Sequence, residues 1–114
     1  MSCAEGRKDD QGKPGWHLLP MAEVEDIVRV LDFGAKKYGE FNWARVRNAK
    51  MRYFAAAMRH LVARRRGELR DPESNLPHLA HAACCLLFMM YFDSKECKDE
   101  EVTDHDEVAS LGEA

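Results

Sequence analysis

Leu76-Pro77-His78-Leu79-Ala80-His81-Ala82-Ala83-Cys84-Cys85-Leu86-Leu87-Phe88-Met89-Met90-Tyr91-Phe92 decides the fold. Pro77 suits the first turn of a helix, where its missing N–H is not needed. From Leu79 to Phe92 no Asp, Glu, Lys or Arg interrupts the run. At helical spacing Leu79, Ala82, Ala83, Leu86, Leu87 and Met90 cover one side, and His78, His81, Cys85, Phe88, Met89 and Phe92 the other. A helix apolar on both sides is buried, as a central bundle helix or a subunit interface. The run falls short of the roughly 18–20 residues a membrane span requires, so no membrane partner is expected.

Two more helices precede it. Pro20 opens the first, in which Val24, Ile27, Val28, Leu31, Ala35 and Tyr38 recur at helical spacing, and Gly39 closes it. Gly34 inside this helix costs about 1 kcal/mol relative to Ala, which suits close approach of a backbone or ligand. After a loop through Phe41-Asn42-Trp43, the second helix is expected from about Asn48 to Arg66, ending at Gly67. Met51, Phe54, Ala55, Met58, Leu61 and Val62 form its apolar stripe, and Tyr53, Ala57, His60 and Arg64 a second one. Pro72 stops it from continuing. Residues 1–19 read as an arm punctuated by Gly6, Gly12, Pro14 and Gly15, with Trp16-His17-Leu18-Leu19 as an apolar anchor.

No strand-like alternation or repeat appears, so the fold class is all-α, a bundle of three or four helices. Residues 1–93 form the domain, and residues 94–114 an acidic tail, weakly helical through Val102, Val108 and Leu111 or disordered. Three such helices give a thin core, which predicts a homo-oligomer, dimer or tetramer.

Net charge over the 114 residues is -3, unevenly spread. Residues 94–114 hold eight acidic and two basic side chains, whereas Arg45 to Arg70 holds nine basic residues and one acidic, Glu68. That stretch favours an anion, either a polyphosphate or a nucleic-acid backbone. The first eight residues are polar and lack a leader's apolar core. The four cysteines contain no C-x-x-C pair and read as reduced packing residues of a cytoplasmic protein.

Chemistry concentrates where the third helix begins. His78 and His81, three apart, share one face, with Asp71 and Glu73 just upstream. Burying an imidazole costs a few kcal/mol unless it is hydrogen-bonded or ligating. Glu68 and Asp71 are likewise three apart, and hard divalent ions prefer carboxylate oxygens. Asp71 before Pro72 is also a common helix cap, and a solvated helix face accounts for Arg65 and Arg66. Arg59, inside the second helix beside His60, is the better phosphate contact. Lys36 and Lys37 suit a helix's last turn. Asn42 and Trp43 offer an amide and a stacking surface for a base, or core packing.

Lys13-Pro14, Leu18-Leu19-Pro20, Gly34-Ala35-Lys36-Lys37-Tyr38-Gly39, Asn42-Trp43, Arg59-His60-Leu61, Gly67-Glu68, Asp71-Pro72-Glu73-Ser74 and Leu76 to Ala82 stand in the same order as in one family. Over residues 12–93 the chain resembles the phage-associated dATP/dGTP diphosphohydrolase N-terminal domain family, which includes MazZ-type enzymes. The resemblance implies a MazG-like all-α enzyme that hydrolyses a purine (deoxy)nucleoside triphosphate, dGTP or dATP, to monophosphate and pyrophosphate. It implies a divalent metal, Mg²⁺ first and Mn²⁺ or Co²⁺ next, and a phage product that feeds modified-base DNA. The wider MazG-like group holds Mg²⁺ through E-x-x-E and E-x-x-D on two helices. This chain instead offers His60, Glu68, Asp71, Glu73, His78 and His81.

The expected roles follow. Glu68, Asp71 and Glu73 hold metal; His60, His78 and His81 are catalytic; Lys13, Lys37, Asn42, Trp43 and Arg59 bind substrate. The alternatives are a non-enzymatic helical module binding nucleic acid or nucleotides through the Arg45 to Arg70 surface, and an oligomer that keeps the fold without the metal.

Overall fold

The computed structural model describes residues 4–98. Three helices carry the architecture: α1 (Met21–Tyr38), α2 (Ala49–Arg65) and α3 (His78–Lys98). Short 3₁₀ turns, Trp16–Leu18 and Asn42–Arg45, precede α1 and α2. Among the described residues there is no strand, only a lone antiparallel bridge between Arg70 and Pro77. None of these helices is long and apolar enough to cross a membrane. The result is an all-α bundle.

Local chemistry sets the boundaries. Gly39 takes φ 99°, where its N–H donates to Ala35 O at 2.8 Å and closes α1. Gly67 does the same for α2 with φ 107° and a bond to Arg64 O. A side chain at either φ would be strained. α3 passes its expected end at Phe92 and runs to Lys98. The charged residues after Phe92 end the apolar run but not the helix, and Asp93 accepts an ion pair from Lys50 on α2 at 3.0 Å. The expected tail helix around Val102 to Leu111 lies outside the described residues.

α3 is central, packed extensively against α2 and less so against α1. Small side chains permit the close approach: Ala49 and Ala57 on α2 and Ala80, Ala82, Cys84 and Cys85 on α3 are buried. Val30, Ala80 and Cys84 form a core that Ile27, Leu31, Leu76 and Phe88 complete. Trp43 stacks on Phe88 at 4.7 Å, with Tyr91 edge-on at 4.9 Å, and the Tyr53 hydroxyl donates to Trp43 O. Burial pushes the Tyr53 hydroxyl up to about 12.

Two apolar features are placed differently from the sequence reading. The stripe of Met51, Phe54, Met58 and Leu61 does not face the core. The second stripe, Tyr53, Ala57 and His60, packs on α3, and Phe54 stays 54% exposed. Helical spacing puts the exposed stripe, with Leu79, Leu86 and Met90 of α3, on the face of the α2/α3 pair turned away from α1. The anchor Trp16-His17-Leu18-Leu19 is also uncovered, with Trp16 74% exposed.

Gly34 has open space where a Cβ would sit, so no backbone approaches it. Gly34→Ala is therefore expected to stabilise the protein by about 1 kcal/mol through helix propensity, read by urea denaturation. Burial pushes the Cys84 thiol up to about 12, and its Sγ donates to Ile27 O at 3.4 Å. In a variant with Cys3 and Cys97 changed to serine, a thiol reagent at pH 8 should modify native Cys84 more than about a hundredfold more slowly than the unfolded chain.

Candidate active site

Residues 67–77 fold into a closed turn that delivers Asp71 to the ends of two helices. The Asp71 N–H donates to Leu76 O at 2.9 Å, the Asn75 N–H to Asp71 O at 2.7 Å and the His78 N–H to Leu69 O at 3.0 Å. Asp71 Oδ1 accepts the N–H groups of Glu73 and Ser74 at 2.7 and 3.2 Å. Its other oxygen, Oδ2, lies 3.9 Å from His60 Nδ1. Burial pushes the Asp71 carboxyl up, but the two backbone N–H bonds and the nearby imidazoles outweigh it and leave the group below its ordinary value.

Three imidazoles meet there. His60, from α2, stacks on His81 at 4.6 Å, and its Nδ1 lies 2.9 Å from Nδ1 of the buried His78. His78 Nε2 is 2.7 Å from Glu68 Oε1. His81 Nε2 is 2.7 Å from Ser74 Oγ, which also accepts the Leu76 N–H. Burial, then the His81 and His78 rings, holds His60 below its ordinary value. Burial does the same to His81, against the opposing pull of Asp71. Both rings therefore stand neutral at pH 7, with a lone pair available.

The ligand-capable atoms of His60, Asp71 and His78 lie within 4.8 Å of one another. Ligand atoms held at about 2.0–2.1 Å in a tetrahedron are roughly 3.3 Å apart, so this donor set fits a single metal ion.

Beside the cluster opens a cleft of about 800 Å³ between α1, α2 and α3. Arg52, Arg59 and Lys37 line it, with Phe33, Tyr38, Phe41, Asn42, Trp43, Tyr53, His60, Asp71, Glu73 and His81. The structure thus brings His60, His78, His81, Asp71, Asn42, Trp43, Arg59 and Lys37 to one region. Glu68 meets the Nε2 side of His78 and is not in the His60–Asp71–His78 donor group, and Glu73 is tied to α1 by Lys37 at 2.6 Å. That bond, chiefly, raises the Lys37 ammonium, which also lies over the Tyr38 and Phe33 rings. Lys13 is exposed in the arm, its N–H bonded to Asp10 O, and does not line the cleft.

Arg52 and Ser74 received no role from the sequence. Arg52 was readable, since it lies two helical turns before Arg59 on the same face. Ser74 meets His81 only because the turn at Asp71 reverses the chain.

The chain matches the model of a family described as dATP/dGTP diphosphohydrolase, N-terminal, over residues 3–104. It is 35% identical over 86 residues to a dATP/dGTP diphosphohydrolase of Salmonella phage PMBT28. The alignment covers 75% of this chain and 29% of that relative, so the chain spans less than a third of the relative's length. No solved structure matches it.

Proposed function

The chain belongs to the dATP/dGTP diphosphohydrolase N-terminal family, and on that premise we propose that it hydrolyses a purine deoxynucleoside triphosphate to the monophosphate and pyrophosphate, with a divalent metal. One observation carries this reading: a single cleft joins the cations Arg52 and Arg59 to the His60–Asp71–His81 cluster. Arginine guanidinium groups on its wall neutralise phosphate oxygens. Asn42 and the exposed Phe41 ring offer the base an amide and a stacking face, because Phe88 already covers one face of Trp43.

A divalent ion held by His60, His78 and Asp71 would supply Lewis-acid polarisation and charge neutralisation at the phosphates. With Nε2 donating to Ser74 Oγ, neutral His81 keeps its Nδ1 lone pair and serves as base. A water oxygen attacks the α-phosphorus while its proton passes to His81. The bond from the α-phosphorus to the bridging oxygen breaks, and pyrophosphate leaves. In a phage, the monophosphate would enter the supply of modified bases for DNA.

Purified protein incubated with each common (d)NTP and Mg²⁺, Mn²⁺ or Co²⁺ should release pyrophosphate fastest from dGTP or dATP. No release from any nucleotide would contradict the proposal. The nucleic-acid alternative gains no specific support, because several cations of residues 45–70 are turned to the cleft or engaged within the chain. Arg52 and Arg59 line the cleft, Lys50 pairs with Asp93 and Arg70 donates to Asn75 O.

We also propose that a second copy covers the apolar face formed by Met58 of α2 and Leu86 and Met90 of α3, which are 43%, 52% and 65% exposed. Sedimentation velocity should find the wild type at dimer mass or above, and Met58→Asp/Leu86→Asp as a helical monomer. A monomeric wild type would refute this.

A further inference from the structure

The hydrogen bonds around His78 determine which of its nitrogens can ligate. A carboxylate can only accept, so the 2.7 Å contact with Glu68 Oε1 puts the proton on His78 Nε2. A neutral ring then carries its lone pair on Nδ1, the atom 2.9 Å from His60 Nδ1. His78 is 4% exposed, so water does not compete for that arrangement. Asp71 is aimed in the same way: two backbone N–H groups occupy Oδ1, and Oδ2 faces His60.

We propose that His60, His78 and Asp71 form a site for a borderline transition cation, Co²⁺ or Zn²⁺, in preference to Mg²⁺, and that Glu68 is the positioning residue that fixes the His78 tautomer. The proposal deepens the hydrolase reading above, on which it rests for the metal's use. Mg²⁺ prefers an octahedral shell of oxygens, whereas two imidazoles and one carboxylate suit later first-row metals. Three protein donors leave positions open for substrate oxygens. Glu68 is the outer carboxylate of a carboxylate–histidine–metal arrangement, in which it orients the ring and raises its basicity without touching the ion. It supports the site through His78 and does not ligate the ion as the sequence reading expected.

The test is a Co²⁺ titration of the full chain followed by visible absorption, repeated in excess Mg²⁺, with far-UV circular dichroism as the folding control. Wild type should develop the bands of nitrogen-ligated Co²⁺ and keep them against Mg²⁺. His60→Ala should lose them. Glu68→Ala should bind Co²⁺ about 10–100-fold more weakly. Glu68→Gln, whose amide oxygen still accepts from Nε2, should recover most of the affinity. Unchanged Co²⁺ affinity in folded His60→Ala, or displacement of Co²⁺ by equimolar Mg²⁺, would overturn the site. Equal losses in both Glu68 variants would overturn the tautomer role.

Turnover on the same preparations separates the two readings. Hydrolysis supported by Mg²⁺ in a protein that fails to bind Co²⁺ through His60 would sink the site and keep the hydrolase. Co²⁺ binding that depends on His60, without turnover of any nucleotide, would keep the site and sink the hydrolase.

Discussion

Asp71→Asn is expected to lower turnover by about 10²–10⁴ while leaving helix content at the wild-type level. The asparagine carbonyl can still accept the Glu73 and Ser74 N–H groups that Asp71 Oδ1 accepts, so the turn keeps its frame. The variant loses the negative charge and the acceptor that faces His60 at 3.9 Å. Asp71 is held below the ordinary carboxyl value and is therefore charged at neutral pH. A cation that polarises phosphate contributes several kcal/mol, and each 1.36 kcal/mol is about tenfold in rate. Steady-state kinetics beside far-UV circular dichroism reads both halves of the prediction. Near-normal turnover in the variant would remove Asp71 from the chemistry.

Arg59→Ala should reduce kcat/KM by about 10–100-fold. A hydrogen bond to a charged group is worth about 1.5–3 kcal/mol, and the site offers this guanidinium unencumbered. Arg59 is exposed on the cleft wall and makes no hydrogen bond or ion pair among the described residues. Truncating it therefore removes little from the fold. Arg59→Lys should restore part of the loss, since it returns the charge without the bidentate fork. Lys37→Ala makes a useful contrast. Its ammonium is already held by Glu73 at 2.6 Å, so its loss should cost substrate binding less and free the Glu73 side chain. An Arg59→Ala enzyme with unaltered kcat/KM would place the phosphates elsewhere.

Much of the fold was legible because it depends on short-range chemistry. Gly39 and Gly67 end their helices where φ must be positive, and the uncharged run before Phe92 becomes the central helix. Side-chain burial was less legible, because apolarity and core membership are different properties. On α2 the tight contact with α3 needs small residues, so Ala57 and its neighbours take the inside and Phe54 and Met58 are left outside. Periodicity finds two stripes but cannot say which one a partner helix covers.

The site divides in the same way. His78 and His81 were readable from their spacing on one helix. His60 was readable as a member of the second α2 stripe, which turned out to be the packed one, and from the Arg59-His60-Leu61 stretch of the family resemblance. The separate positions of Glu68, Asp71 and Glu73 were not readable. They fall within six positions of one another, yet the turn sends Glu68 to His78 Nε2, Asp71 toward His60 and Glu73 across to Lys37 on α1. Closure of residues 67–77 decides that; the capping bonds of Asp71 and Ser74 to the turn's N–H groups are local, but the direction in which each carboxylate leaves the turn is not.

Hydrolysis of dGTP in ¹⁸O-labelled water, with mass analysis of both products, tests the central claim most directly. Attack of water at the α-phosphorus puts the label in dGMP and leaves pyrophosphate unlabelled, which is the predicted result. Label in the pyrophosphate, or release of any other pair of products, would contradict the account.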